Sequence, residues 1–360
     1  MKLYVQQTSF AAALDAVCKR ISKNNVNPIY GGVLLRTGND ALELTSTNSV
    51  RSIRHTVSAQ VEEPGEIVLP GELLSKYVSK MPDGPVTVAI EQGGTVVKCG
   101  RSHLRLNHMD PRLFDEFPVV ESMASITMPR DLFVSRVDRA SRYVLKEPTG
   151  NPQYMGVHVM SKDGLLKMLS TDGYRFFEAS AHVDVGDFEA TIDTEALRDM
   201  ASMATADEVA MGVSESQVTM SCGSVSYVGR AISGTYPSFA MILDRLHRNT
   251  VVTVDPHDIA SALARIAMVA KDNGRAVTTI GNDTVTLSAS SPESGEAVAE
   301  VDADVTGPEL TIGLSHRYLS EGLRSFGDTV DMAFDGPEKA VLMTAHDDCD
   351  ILYLLMPMRL

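Results

Sequence analysis

The chain says one thing twice. Asn27-Pro28-Ile29-Tyr30-Gly31-Gly32-Val33 returns 124 residues later as Asn151-Pro152-Gln153-Tyr154-Met155-Gly156-Val157. At the same offset, Thr47-Asn48-Ser49-Val50-Arg51 returns as Thr171-Asp172-Gly173-Tyr174-Arg175. Seven identities in register, with no gap, are hard to ascribe to composition, and a duplication of about a third of the chain points to a repeat architecture. A fainter third copy appears at an offset of 243, where Leu44-Thr45-Ser46-Thr47 falls over Leu287-Ser288-Ala289-Ser290 and Val33-Leu34 over Ala276-Val277. Three copies of about 120 residues account for the 360, and that size suits a domain with its own core. The expected domains are residues 1–121, 125–247 and 249–360, with linkers near Glu121–Ser125 and His247–Thr250.

Each copy reads as a short strand, an amphipathic helix, strands, a second helix and more strands. That rhythm predicts an α+β chain with mostly antiparallel sheet. The first helix of each copy carries an apolar stripe at helical spacing: Phe10, Ala13, Leu14, Val17 and Ile21; then Phe133, Val137, Ala140 and Val144; then Ile259, Leu263, Ile266 and Ala270. Thr8 or Ser9 can cap the first of these, and Asp255-Pro256 the third. The second helices are predicted over Gly71 to Lys80, Thr194 to Ala204 and Ser315 to Phe326.

Net charge is −15, at first sight the wrong sign for a nucleic-acid partner. Its distribution matters more: the successive thirds carry 0, −4 and −11. The first helices stand apart, with Lys19, Arg20 and Lys23 at the end of one and Arg136, Arg139, Arg142 and Lys146 spaced along the exposed face of the next. A single basic row is most often a solvated face. Two successive ones in an acidic chain suggest a phosphate-facing surface, although the third helix, with no excess charge, weakens the case.

Enzymatic signatures are absent. There is no phosphate loop, dinucleotide fingerprint, nucleophile elbow or His-Glu-x-x-His pair. Cys18, Cys99, Cys222 and Cys349 are scattered, which favours neither zinc nor a disulfide framework and fits a reducing cytoplasm. Cys99-Gly100 and Cys222-Gly223 occupy matching places, as small buried residues do. The cluster His346-Asp347-Asp348-Cys349-Asp350 reads as a charged turn before it reads as a metal site, and Asp172-Gly173 as a hairpin turn before a catalytic acid. No apolar run approaches the ~20 residues of a membrane span. A non-enzymatic role with no cofactor and no metal is the default.

The threefold repeat, Thr171-Asp172-Gly173-Tyr174-Arg175, Thr235-Tyr236-Pro237-Ser238-Phe239 and Leu355-Met356-Pro357-Met358-Arg359-Leu360 together resemble the bacterial DNA polymerase sliding clamps, the β subunits of the replicative polymerase. The resemblance covers the whole chain. It implies the DNA clamp fold: three similar domains per subunit, two subunits head to tail in a ring, helices lining the hole and sheets outside. The implied partners are double-stranded DNA held without regard to sequence, the replicative polymerase catalytic subunit, a clamp loader and other proteins with a clamp-binding motif. Lys19, Arg20, Lys23, Arg136, Arg139, Arg142, Lys146 and Arg198 would then face DNA.

In that family, partners insert a short peptide between the second and third domains. By matching motif the groove would use Thr171, Gly173, Tyr174, Arg175, Phe176, Pro237, Ile242, Tyr318, Leu354, Met356, Pro357, Met358 and Leu360. Met and Leu make an adaptable apolar surface suited to many related peptides. The homodimer contact would set Leu104 and Leu106 against Met268 and Val269 of the second subunit. Asn151 stands where the family often has Arg, Tyr154 where it often has Leu, and Tyr174 where His is common. A divergent bacterial clamp and a phage-encoded one both fit. The rival readings are a non-ring peptide-binding scaffold and a hydrolase using His346 to Asp350.

Overall fold

The structure, a computed structural model, describes all residues except 20–26, 49, 148–149, 271–273 and 347–349. Within it the duplicated stretches match down to single hydrogen bonds. Asn27 and Asn151 each cap a one-turn 3-10 helix, Pro28–Gly31 and Pro152–Met155, by accepting from the N–H of Ile29 at 3.2 Å and of Gln153 at 3.1 Å. Proline at the first helical position costs nothing, since that N–H would lack an intrahelical partner anyway. The strands Ala41–Thr47 and Leu165–Thr171 then share one order of buried and half-buried positions. At their ends Asn48 accepts from Val50 and Arg51, and Asp172 from Tyr174 and Arg175. Both are side-chain-built turns, which Asn and Asp make readily.

Seven helices form among the described residues: α1 (Gln7–Cys18), α2 (Gly71–Val78), α3 (Arg130–Ala140), α4 (Thr194–Met203), α5 (Ala240–Asp244), α6 (Pro256–Ile266) and α7 (His316–Leu323). The apolar stripes read from sequence are buried wherever they are described, and Ile21 lies outside the described residues. Asp255 caps α6 by accepting from the His257 N–H at 2.8 Å. Two expectations need correction. α1 starts at Gln7 without a side-chain cap, leaving Thr8 and Ser9 exposed. Gln7 instead turns inward and donates to the Val78 carbonyl at 2.7 Å, which ties α1 to the end of α2. α3 stops at Ala140, so Arg142 and Lys146 lie past it and do not continue one helical face.

The chain separates into two compact units, Met1–Val134 with Val185–Ala231 and Ser135–Asp184 with Ile232–Leu360. In the first, a five-stranded sheet runs in the order 60–63, 2–6, 85–91, 94–99, 102–106. Beside it an eight-stranded sheet is joined where Arg51–Ser58 pairs with Val225–Arg230. In the second, a sheet is joined in the same way where Arg175–His182 pairs with Ile351–Leu355, and a four-stranded sheet runs 295–302, 284–291, 275–280, 310–315. All these pairings are antiparallel. Cys99 and Cys222 are both buried, and each is followed by a glycine at φ 56°, as their matching sequence places imply.

Candidate functional site

The second unit builds a cleft beside the turn Thr171 to Arg175. The Thr171 hydroxyl donates to the Arg175 carbonyl at 2.6 Å and accepts from the Gly173 N–H at 3.0 Å. Gly173 takes φ 90°, a left-handed conformation that costs side-chain-bearing residues energy. The result sorts two neighbours: Tyr174 stands 64% exposed, while Arg175 is drawn in to 4%. The Arg175 Nε donates to Asp172 at 2.9 Å, and Nη1 pairs with Glu321 of α7. Its guanidinium carbon lies 4.2 Å from the centre of the Tyr318 ring. Burial of such a cation is tolerable because two carboxylates and an aromatic face compensate it.

The opposite wall is Met356, Pro357 and Met358, which follow directly on the buried strand Ile351–Leu355. That strand pairs with Arg175–His182, setting Leu355 opposite Arg175. The Met356 N–H then donates to the Tyr174 carbonyl at 3.0 Å, and the Met358 N–H to Gly313 at 2.8 Å. Between these walls is a cleft of about 470 Å³, lined by Tyr174, Gly274, Ser315, His316, Arg317, Tyr318, Met356, Pro357 and Met358. Tyr174 and Tyr318 stack loosely at 6.5 Å. Burial, with the Arg317 cation beside it, pushes the His316 pKa down, so the imidazole in this wall is held neutral at pH 7. Nothing here resembles a nucleophile with its base. The cleft can hold an apolar segment by contact.

Of the groove residues expected from sequence, Tyr174, Tyr318, Met356, Pro357 and Met358 meet in this cleft. Thr171, Gly173 and Arg175 shape it from beneath. Phe176 and Leu354 are buried in the adjoining core, where Phe239 stacks on Phe176 at 4.1 Å. Pro237 is half-buried, and Ile242 is 40% exposed on α5. Leu360 lines a neighbouring hollow with Pro337 and Glu338. Tyr154 lies against the turn, with its Cε2 3.7 Å from where a Gly173 side chain would begin. His316 and Arg317 were not anticipated. Their signal was the Ser315 cap, which accepts from the Tyr318 N–H at 3.4 Å and so fixes the first turn of α7 against the cleft.

The basic residues are less uniform than their spacing suggested. Lys19 donates to Ser202 at 3.0 Å, and Arg20 and Lys23 fall outside the described residues. Arg136 is not on an exposed face: its side chain is 11% exposed and pairs with Asp350 at 3.3 Å. Arg142 pairs with Asp138 on the preceding turn. Arg139 is half-buried, Arg198 is exposed, and Lys146 lines a small hollow beside Arg317. Among the expected dimer residues, Met268 is 66% exposed and Leu104 and Val269 are half-buried, but Leu106 is buried within its own unit. His346 bonds Asp331 at 3.0 Å, and Asp347, Asp348 and Cys349 lie outside the described residues. Among the described residues no group of three or more His, Cys, Asp or Glu could hold a metal ion, and no helix is long and apolar enough to cross a membrane.

This fold is that of a sliding clamp. A sliding clamp from Bacillus subtilis superposes with a TM-score of 0.93 at 23% identity, covering 100% of this chain and 99% of that one. One from Pseudomonas aeruginosa, bound to griselimycin, gives 0.95 at 22% and covers all of both chains. Two family models match, the N-terminal domain of the DNA polymerase III beta subunit over residues 1–121 and its C-terminal domain over 246–359. Curated beta sliding clamps of Synechocystis sp. and Caulobacter vibrioides are 26% and 27% identical to this chain, each alignment covering the full length of both proteins. The chain belongs to the DNA polymerase III beta subunit family, and its function is that of a DNA sliding clamp, a processivity factor in replication.

Proposed function

We propose that the protein acts as a ring of two subunits closed around duplex DNA, and that the cleft beside Tyr174 holds the peptide by which a polymerase or another DNA enzyme is tethered. The observation that carries the tethering half is the cleft itself, where Met356, Pro357 and Met358 share the lining with the rings of Tyr174 and Tyr318. Tethering raises the partner's effective concentration at the primer end without any chemistry by the clamp. Retention on DNA is topological, so tight phosphate contacts are not required of the cations, and Lys19, Arg136 and Arg142, each in an ion pair, are not needed for grip. The ring is non-catalytic, and its three-domain division is supported by the hairpins that recur in each third.

Subunit closure has support in two sheet edges. Among the described residues, Ser102–Leu106 and Gly295–Asp302 each end a sheet with one side unpaired. The first edge carries Arg101, His103 and Arg105, and the second Glu296, Glu300 and Asp302, so antiparallel pairing between two copies sets opposite charges together. Exposed Val298 and Met268 with half-buried Leu104 supply apolar contact. The decisive experiment compares retention on closed circular and short linear duplex as salt is raised. A loaded ring survives on the circle at salt that strips it from the linear duplex; equal loss from both would rule out encirclement. Leu104→Glu with Met268→Glu yields monomers in sedimentation, and an unchanged mass places the contact elsewhere.

A further inference from the structure

We propose that Met356, Met358 and His316 form a binding site for a soft monovalent metal ion, copper(I), in the cleft beside Tyr174. The inference does not depend on what else the cleft holds; it concerns which donors meet there.

Two thioethers come from one wall and an imidazole from the other. Met356 and Met358, separated only by Pro357, follow the strand Ile351–Leu355, while His316 opens α7, and all three line the cleft of about 470 Å³. Their backbones are pinned. The Met356 N–H donates to the Tyr174 carbonyl, the Met358 N–H to that of Gly313 and the His316 N–H to that of Gly274, at 3.0, 2.8 and 3.0 Å. Their side-chain donors are unspent: among the described residues neither sulfur and neither ring nitrogen has a hydrogen-bond partner. Met356 is 42% exposed and the other two are half-buried, so an ion can reach them. The imidazole is neutral at pH 7, the form that ligates, and the flexible methionine side chains let both sulfurs swing toward one ion.

The donor set decides the class of ion. Thioethers are soft and select copper(I), and imidazole suits copper as well. Zinc wants thiolate, imidazole or carboxylate in a set of four, and calcium and magnesium want oxygen. The cleft lining holds no carboxylate and no thiol, and its Ser315 hydroxyl is engaged as the cap of α7. Arg317, whose guanidinium lies 4.8 Å from the centre of the Tyr318 ring, also lines the cleft and repels a divalent ion twice as strongly as a monovalent one. Methionine lies outside the His, Cys, Asp and Glu set, so the lack of a cluster of those four among the described residues does not bear on this site. Once ligated, both methionines are fixed, and the cleft loses the adaptable wall it offers an apolar segment.

The test is a competition for copper(I) held as its bicinchoninate complex, under ascorbate and without oxygen. The full chain is first treated with N-ethylmaleimide, which caps accessible thiols. Proteins are the parent, Met356→Leu, Met358→Leu, the two combined, and His316→Gln, each checked by thermal melting; Met→Leu conserves volume and with it the fold. The parent is expected to withdraw one copper(I) per chain. Each single variant should hold it at least about tenfold more weakly, the loss seen even when a mere supporting residue leaves a metal site. The double variant should withdraw none. X-ray absorption of the loaded parent, which needs no variant to fold, should show two sulfurs and one nitrogen around copper. Uptake by the parent no greater than by the double variant, or a copper shell without sulfur, overturns the proposal. So does equal displacement by zinc(II), which would leave the imidazole as the only ligand that matters.

Discussion

Asp40 and Asp283 hold the same left-handed backbone, at φ 49° and 60°, and each carbonyl accepts from an alanine N–H at 3.0 Å, Ala59 in one case and Ala303 in the other. Asp163 has φ 52° in the middle third, and its neighbour Gly164 accepts from Val183 at 3.0 Å. One hairpin thus recurs three times. Asp tolerates this conformation and a β-branched side chain does not. Asp40→Val and Asp283→Val should each cost about 1–2 kcal/mol in urea unfolding, while Asp→Gly at either place should be nearly neutral. A valine variant as stable as the parent would remove the turn from the constraints on the fold.

Asn48 and Asp172 build the same turn, yet they should not be equally expendable. Asn48→Ala loses two hydrogen bonds at a half-buried site, about 1 kcal/mol. Asp172→Ala also strands the Arg175 guanidinium, whose side chain is 3% exposed, and removing one partner of a buried pair costs roughly 3–5 kcal/mol. Denaturant midpoints of the two variants decide it; equal losses would mean that Glu321 alone satisfies Arg175.

Gly313 is where the Met358 backbone is held. A Cβ there would lie 2.6 Å from the Met358 carbonyl oxygen, which is backbone and cannot swing aside. Gly313→Ala should push Met358 off its bridge and weaken peptide binding by roughly tenfold or more, while overpacking costs the fold about 1–3 kcal/mol. Polarisation and thermal melting on the same preparation separate the two effects. Unchanged affinity would show that the Met358 wall contributes nothing to the cleft.

Burial pushes the His55 pKa below its usual 6.5, and its Nδ1 finds no hydrogen-bond partner among the described residues. The unfolded chain therefore binds the extra proton first. Stability is complete above about 6.5 and falls as pH drops through that value toward the folded-state pKa. Unfolding midpoints measured from pH 7.5 to 5.5 should decline, and His55→Gln should flatten part of the decline. An identical slope in the variant would place the effect on other groups, His316 among them.

Much of this was legible in the residues. The duplicated Asn-Pro and Thr-to-Arg stretches announced matching caps and turns, and apolar spacing located the buried helix faces. The third copy was harder to read because Asn-Pro and Arg are missing from it. Its turn chemistry had survived, as Gly38-Asn39-Asp40 and Gly281-Asn282-Asp283. Arg136 could not be placed by spacing, since helical period says nothing about a distant Asp350 arriving to pair with it. Arg317 escaped for a related reason: its place against the Tyr318 ring on the cleft wall is a fact of three dimensions.

The pairing of Arg51–Ser58 with Val225–Arg230 sets a schedule for the nascent chain. When the first third leaves the ribosome, the edge that ends at Arg51–Ser58 has no strand to meet, because its partner comes near the end of the middle third. Arg175–His182 waits in the same way for Ile351–Leu355. Two long-range closures, each delayed by much of a domain's synthesis, make for slow folding and leave strand edges open to other chains in the interval. Expression at lower temperature, or with chaperones that shield unpaired edges, should raise the soluble yield more than any change to the finished surface.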